Sequence, residues 1–156
     1  MLQQFTPQEV LEVMRKISLM SIAVSDKNNQ PQSHMLLFAV DPDFTLYFAT
    51  SNSSAKHNAI KENNKIGISI WSDKEMLIQM LAEATEIEGE DAQEAFNKLA
   101  EVAISLPDFW PPLLQIQKSS GYAVFKVKPT SIRALNLASN TITNIGTMFT
   151  NIGAQL

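Results

Sequence analysis

The amino-acid sequence predicts a β-rich α+β fold: an antiparallel barrel, closed or partly open, flanked by a few short helices. Three observations predict it. About seven stretches carry strand-like patterns, most alternating apolar and polar residues with a period of two; short turns connect many of them; and no repeating strand–helix–strand pattern of a parallel sheet occurs. With 156 residues, 45% of them hydrophobic and 18% charged, the chain can fill one packed core, so a single domain over residues 1–156 is expected, with 138–156 as a C-terminal docking tail.

Thr6-Pro7-Gln8-Glu9 reads as a capping box with proline in the first turn, and Val10, Val13, Met14 and Ile17 follow at helical spacing. This helix is expected to end near Ser18. From Leu19 the period changes to two, with Met20, Ile22 and Val24 on one side of a strand. Asp26 to Gln30 turns the chain into a second strand, Gln32 to Val40, and Asp41-Pro42-Asp43 turns it again into a third, Thr45 to Thr50. In the third strand Leu46 and Phe48 define the core side, opposite Thr45, Tyr47 and Ala49.

Ser51 to Ser54 offers helix-capping hydroxyls before a short helix, Ala55 to Glu62, that carries Lys56, His57 and Lys61. Ile66, Ile68 and Ile70 mark a strand, and Glu75 to Glu88 alternates over a length that predicts a bent or bulged strand. Gly89-Glu90-Asp91 opens a helix whose buried stripe is Ala92, Phe96, Leu99 and Ala103. Phe109 and Trp110 fall in a Pro-rich loop, suited to cover a pocket or close the barrel mouth. Gly121 to Lys128 is a strand that Pro129 is expected to break before a last one around Ile132 to Leu137. In the tail Ile142, Ile145, Phe149 and Ile152 recur at helical spacing, which predicts a helical or frayed end docked on its own or a partner subunit.

Composition narrows function. A net charge of -4 without a Lys/Arg cluster disfavours nucleic acid, and the absence of cysteine excludes disulfides, thiolate nucleophiles and thiolate metal sites. The two histidines, His34 and His57, are not spaced as a metal pair, so no metal site is expected. No nucleophile-elbow sequence occurs, and Glu83, Glu86, Glu88, Glu90 and Asp91 read as a solvated strand end and helix start. The N-terminus lacks a signal-peptide pattern and no stretch reaches the roughly 20 apolar residues of a membrane span, so a cytoplasmic protein is expected.

The run from Leu46 to Trp71, LYFATSNSSAKHNAIKENNKIGISIW, places a strand, Thr50, the Ser54-x-Lys56 pair, a short helix and a strand ending in an aromatic in succession. In this order it resembles the pyridoxamine 5'-phosphate oxidase-like split-barrel flavoproteins, particularly their small general-stress-protein branch. That resemblance implies an antiparallel split β-barrel and a homodimer binding FMN in grooves between subunits. It implies phosphate contacts from Thr50, Ser54 and Lys56, which the residues support: a hydroxyl-rich helix start offers free N–H groups, and Lys56 a full charge. The plain alternative makes Ser53 or Ser54 an ordinary cap and Lys56 a solvated side chain.

By the same resemblance Pro31 to Phe38 lies along the isoalloxazine, with His34 where the oxidases usually carry Arg and with backbone groups of Met35 and Leu36 at the ring edge. Ala55 replaces a common phosphate-binding Arg. Trp71 and Gln79 lie near the cofactor rim, although an aromatic such as Trp71 is more often simply a dimer or core residue. The C-terminal substrate motif of true pyridoxamine phosphate oxidases is missing. Two functions stay open: an FMN-dependent oxidoreductase acting on a small molecule, or a non-catalytic split barrel that holds flavin, haem or a similar planar ligand.

Overall fold

The computed structural model describes residues 5–106, 108, 121–138 and 149–152. Helix α1, Pro7–Ile17, begins at the expected capping box: the Glu9 N–H donates to Thr6 Oγ1 at 3.2 Å and the Thr6 N–H to Glu9 Oε2 at 2.8 Å. It ends at Ser18, whose left-handed backbone returns its N–H to Met14 O. The strands are β1 (Leu19–Ser25), β2 (Pro31–Leu37), β3 (Ala39–Val40), β4 (Leu46–Ser51), β5 (Lys65–Ser72), β6 (Met76–Ile87), β7 (Tyr122–Asn136) and β8 (Phe149–Asn151). Helices α2 (Ala55–Glu62) and α3 (Gly89–Ile104) complete the element order.

Every strand pairing is antiparallel, in the order β2-β1-β5-β6-β7-β4-β3, with β8 added along β7. The two ends of this sheet are consecutive stretches of chain. Pro31–Leu37 pairs with β1, the chain bends at Phe38, and Ala39–Val40 then pairs with β4. The single strand expected over 32–40 therefore divides its pairing between two neighbours, which curls the sheet into an antiparallel split barrel.

The barrel interior is the period-two face: Met20, Ile22, Phe48, Ile68, Ile78, Phe125 and Ile132 are all buried, and Phe48 stacks on Phe125 with centroids 5.1 Å apart. Val10, Val13 and Met14 of α1 belong to the same core. Opposite this interior, α3 covers part of the outer surface. Its Ala95, Phe96, Leu99 and Ala103 pack with Leu37, Ala39, Ala49 and Val124 in a second cluster, so β4 is buried on both faces instead of one.

Two further departures concern β7 and the tail. β7 runs unbroken through Pro129, because Leu81 pairs with Ser131 and Ala82 with Pro129; the extra residue between them is Thr130, whose hydroxyl donates to Leu81 O at 3.2 Å. A bulge relieves proline of its missing ladder bond, so the irregularity expected in β6 is expressed in its partner. In the tail Phe149–Asn151 is a strand, not a helix, and the following Ile152 is fully buried. Pairing with β7 supplies backbone hydrogen bonds that an isolated Thr- and Gly-rich helix holds poorly. Phe109, Trp110, Ile142 and Ile145 lie outside the described residues. Among the described residues no helix is long and apolar enough to cross a membrane.

Candidate functional site

The candidate site is built at one rim of the barrel, where β4 hands the chain to α2. Thr50 continues the inward-facing series Leu46–Phe48 and is almost fully buried. A serine-rich turn follows, in which the Ser54 N–H donates to Ser51 O at 3.1 Å and the Ser51 and Ser53 hydroxyls lie 3.0 Å apart. Ser54 then caps α2: its Oγ accepts the His57 N–H at 3.2 Å and lies 3.1 Å from Thr50 Oγ1. This leaves the first-turn N–H groups of Ala55 and Lys56, which no carbonyl of the helix can reach, at its positive end.

Lys56 completes the group. Its Nζ donates to Thr50 Oγ1 at 3.2 Å, the side chain is half-buried, and no carboxylate among the described residues forms an ion pair with it. Burial pulls its pKa below the ordinary lysine value. Two hydroxyls, a helix start and an ammonium group without a counter-charge form the donor set of an anion site.

The remaining candidates of the flavin-ring set lie on β2 and β5. His34 pairs in register with buried Ile22, which puts it on the inward side of the strand together with Gln32 and Leu36. Its Nε2 lies 3.3 Å from Gln32 Oε1. Burial, and then the charge of Lys56, lower its pKa below the usual histidine value. Among the described residues no strand pairs with β2 on the edge opposite β1, so alternate backbone groups of residues 31–37 face away from the ladder.

The structure thus separates the seven residues singled out in the sequence. Thr50, Ser54 and Lys56 are joined by hydrogen bonds, whereas His34 and Leu36 share the inward side of β2, Leu36 packing against the core. Met35 and Trp71 face the other way. They are 60% and 61% exposed, on an outer sheet surface that also holds Leu81 at 62%. Between them run Ser21, Ala23, Gly67 and Ser69 in adjacent registers. Gln79 belongs to this outer surface and accepts two bonds from Arg133, at 3.0 and 2.6 Å.

One pair escaped the sequence reading. Glu86, read there as part of a solvated strand end, continues the inward parity of β6 and meets His57 behind the site. His57 is 4% exposed, its Nε2 is 3.4 Å from both Glu86 oxygens, and its ring sits edge-on to Phe125 at 5.7 Å. Lys61 reaches the same carboxylate at 3.8 Å. The usable signal was parity: Glu86 stands two positions beyond Ala84 in the buried series. Here α2 is anchored to the barrel through the residue that follows Lys56.

Comparison with known proteins agrees with this architecture. The family profile described as Pyridoxamine 5'-phosphate oxidase matches residues 6–136. No curated protein is matched by sequence. Among solved structures, ChuZ of Campylobacter jejuni is similar with a TM-score of 0.73 and 18% identity, over 98% of this chain and 65% of that one. A pyridoxamine 5'-phosphate oxidase-related, FMN-binding protein of Nostoc punctiforme is similar with a TM-score of 0.64 and 17% identity, over 85% and 84% of the two chains. HutZ, the haem storage protein of Vibrio cholerae, is similar with a TM-score of 0.65 and 14% identity, over 81% and 91%.

Proposed function

The chain belongs to the pyridoxamine 5'-phosphate oxidase family, and from that premise we propose that it binds FMN at the α2 rim and serves as an FMN-dependent oxidoreductase of the small general-stress-protein type. The observation that carries this reading is Lys56: a half-buried ammonium whose hydrogen-bond partner is the Thr50 hydroxyl, beside a capped helix start. The flavin phosphate would be held by Lys56, Thr50, Ser54 and the first-turn N–H groups of α2. The ring would lie along β2, past His34, with the strand edge at Met35 and Leu36, which no described strand pairs, offering backbone groups. When bound, FMN supplies hydride or electron transfer, while the protein supplies orientation and electrostatics.

We further propose a homodimer through the outer face of β1, β2, β5 and β6. Met35, Trp71 and Leu81 are largely exposed there around small residues, a surface that a twofold copy would cover. Trp71→Glu is expected to convert the dimer into a monomer in sedimentation at tens of micromolar. A wild-type chain that sediments as a monomer would overturn the dimer.

A second reading, a non-catalytic barrel for haem or another planar ligand, is favoured by His34, a half-buried imidazole on the inward side of β2; HutZ, of similar fold, is a haem storage protein. One measurement separates the two readings. Absorbance spectra of the purified chain, alone and titrated with FMN or haem, should show perturbed flavin bands and saturable FMN binding. Saturable haem binding without flavin binding would establish the second reading instead.

A further inference from the structure

The first turn of α2 carries the donors of the anion site, yet little of it reaches the core. Of residues 51–58 His57 alone is buried, while Ala59 and Ile60 fix the second turn. The His57 ring lies against a cross-strand pair of the barrel, Glu86 on β6 opposite Phe125 on β7: its Nε2 is 3.4 Å from both Glu86 oxygens, and it meets Phe125 edge-on at 5.7 Å. A carboxylate that also pairs with Lys61, at 3.8 Å, offers acceptors, so the Nε2–H donates to it. The other ring nitrogen gains nothing: Nδ1 is buried without a hydrogen-bond partner among the described residues. An apolar side chain of similar size would fill this space without an orphaned polar atom, so the reason for an imidazole here lies in the bond that Nε2 makes.

That bond is the first of a continuous series. From Glu86 the contacts run to the His57 ring, from the His57 N–H to Ser54 Oγ at 3.2 Å, from Ser54 Oγ to Thr50 Oγ1 at 3.1 Å, and from Thr50 Oγ1 to Lys56 Nζ at 3.2 Å. We infer that His57 and Glu86 are the positioning residues of the α2 rim and determine its specificity: they hold the first turn where Ser54, the first-turn N–H groups and Lys56 converge on one phosphate group, so that the rim prefers a phosphorylated flavin to the same ring system without phosphate. This rests on the reading of the rim as the FMN phosphate site and names what sets its selectivity. The physical reason is direction. A hydrogen bond tolerates little error in distance or angle, and because these donors share one turn, a rotation of that turn misplaces all of them together. The apolar contacts of Ala59 and Ile60 hold the helix to the barrel but are non-directional, which leaves the rotation of the first turn to the bond between His57 and Glu86.

The test compares FMN and riboflavin affinities of the full-length chain, by calorimetric titration, in four variants. His57→Leu and Glu86→Leu break the bond from either side; His57→Gln and Glu86→Gln keep a donor and an acceptor. Each leucine variant should lose about tenfold in FMN affinity, the scale of one hydrogen bond to a charged group, with riboflavin affinity unchanged. The glutamine variants should recover most of that loss. Thermal unfolding identifies the variants that fold, and if His57→Leu does not, the partly exposed Glu86 position decides. A folded leucine variant that keeps the wild-type preference for FMN, equal losses for the two ligands, or glutamine variants as weak as the leucine ones overturn the inference while the phosphate reading stands. A wild type that binds riboflavin as tightly as FMN overturns both.

Discussion

Two lysines occupy comparable half-buried positions in this molecule and are treated in opposite ways. Lys98, on α3, donates to Asp41 Oδ1 at 2.9 Å and lies 5.0 Å over the Tyr47 ring, while the other Asp41 oxygen accepts the Tyr47 hydroxyl at 2.9 Å. Its charge is neutralised in place, and the network ties α3 to the β3–β4 turn and to β4. Lys56 is partnered by a hydroxyl, and no carboxylate among the described residues forms an ion pair with it. Leaving a desolvated charge uncompensated is costly, so a fold that carries one has a reason outside its own stability. A cation that holds the fold together brings its counter-charge with it; one that receives a ligand leaves that place open.

The sharpest way to break this comparison is to truncate each lysine and measure FMN binding. Lys56→Ala should weaken it by about 1.5 to 3 kcal/mol, the scale of a hydrogen bond to a charged group, with riboflavin binding little changed. Lys98→Ala should leave both affinities as they are. Equal losses for FMN and riboflavin would assign Lys56 to folding.

Stability should invert the order. Lys98→Met leaves Asp41 without its cation and should lower unfolding stability in denaturant titrations by about 1 kcal/mol, a figure kept small because both groups are partly solvated.

The Lys98 network also has an alkaline signature. Burial first, and then the hydrogen bond to Asp41 and its charge, push the Tyr47 pKa up to about 12. Because the folded value lies above the unfolded value of about 10, the associated stability is present below pH 10 and lost as pH rises toward 12. Asp41→Asn should bring the midpoint part of the way down, with burial keeping it above the unperturbed value. Tyrosinate absorbance in a Tyr122→Phe background isolates Tyr47, and an unchanged midpoint would remove Asp41 from its causes.

The smallest effect is the most diagnostic. Lys56→Met replaces an unpaired, half-buried charge by an apolar chain and should raise apo-protein stability by a few tenths of a kcal/mol. A loss above about 1 kcal/mol would show that Lys56 holds the fold.

Local chemistry was legible wherever it sufficed. The capping box at Thr6 and Glu9, the alternation of β1, β5 and β6, and the helix starts at Ser54 and Gly89 all correspond to observed elements, because each depends on residues within a few positions of one another. The group Thr50, Ser54 and Lys56 was legible for the same reason: it spans one strand end and one helix turn. The pair His57–Glu86 was not, since its members are 29 residues apart and meet through the curl of the sheet.

What the sequence determined by itself was therefore the set of strands and short helices, the inward face of most strands, and the hydroxyl-and-lysine start of α2. Hydrogen-bond reach and the two-residue period of a strand are properties of neighbouring residues. Closure of the sheet, by contrast, was a tertiary decision. Phe38 divides one predicted strand between two partners, Thr130 allows β7 to carry Pro129 without breaking, and pairing with β7 makes a strand of Phe149–Asn151. The placement of α3 decided that β4 is buried twice, and the curl of the sheet decided that His34 faces inward while Met35 and Trp71 look outward. Each of these depends on which distant backbone comes to lie alongside, and local preference gives way there to the pairing and burial that the whole barrel supplies.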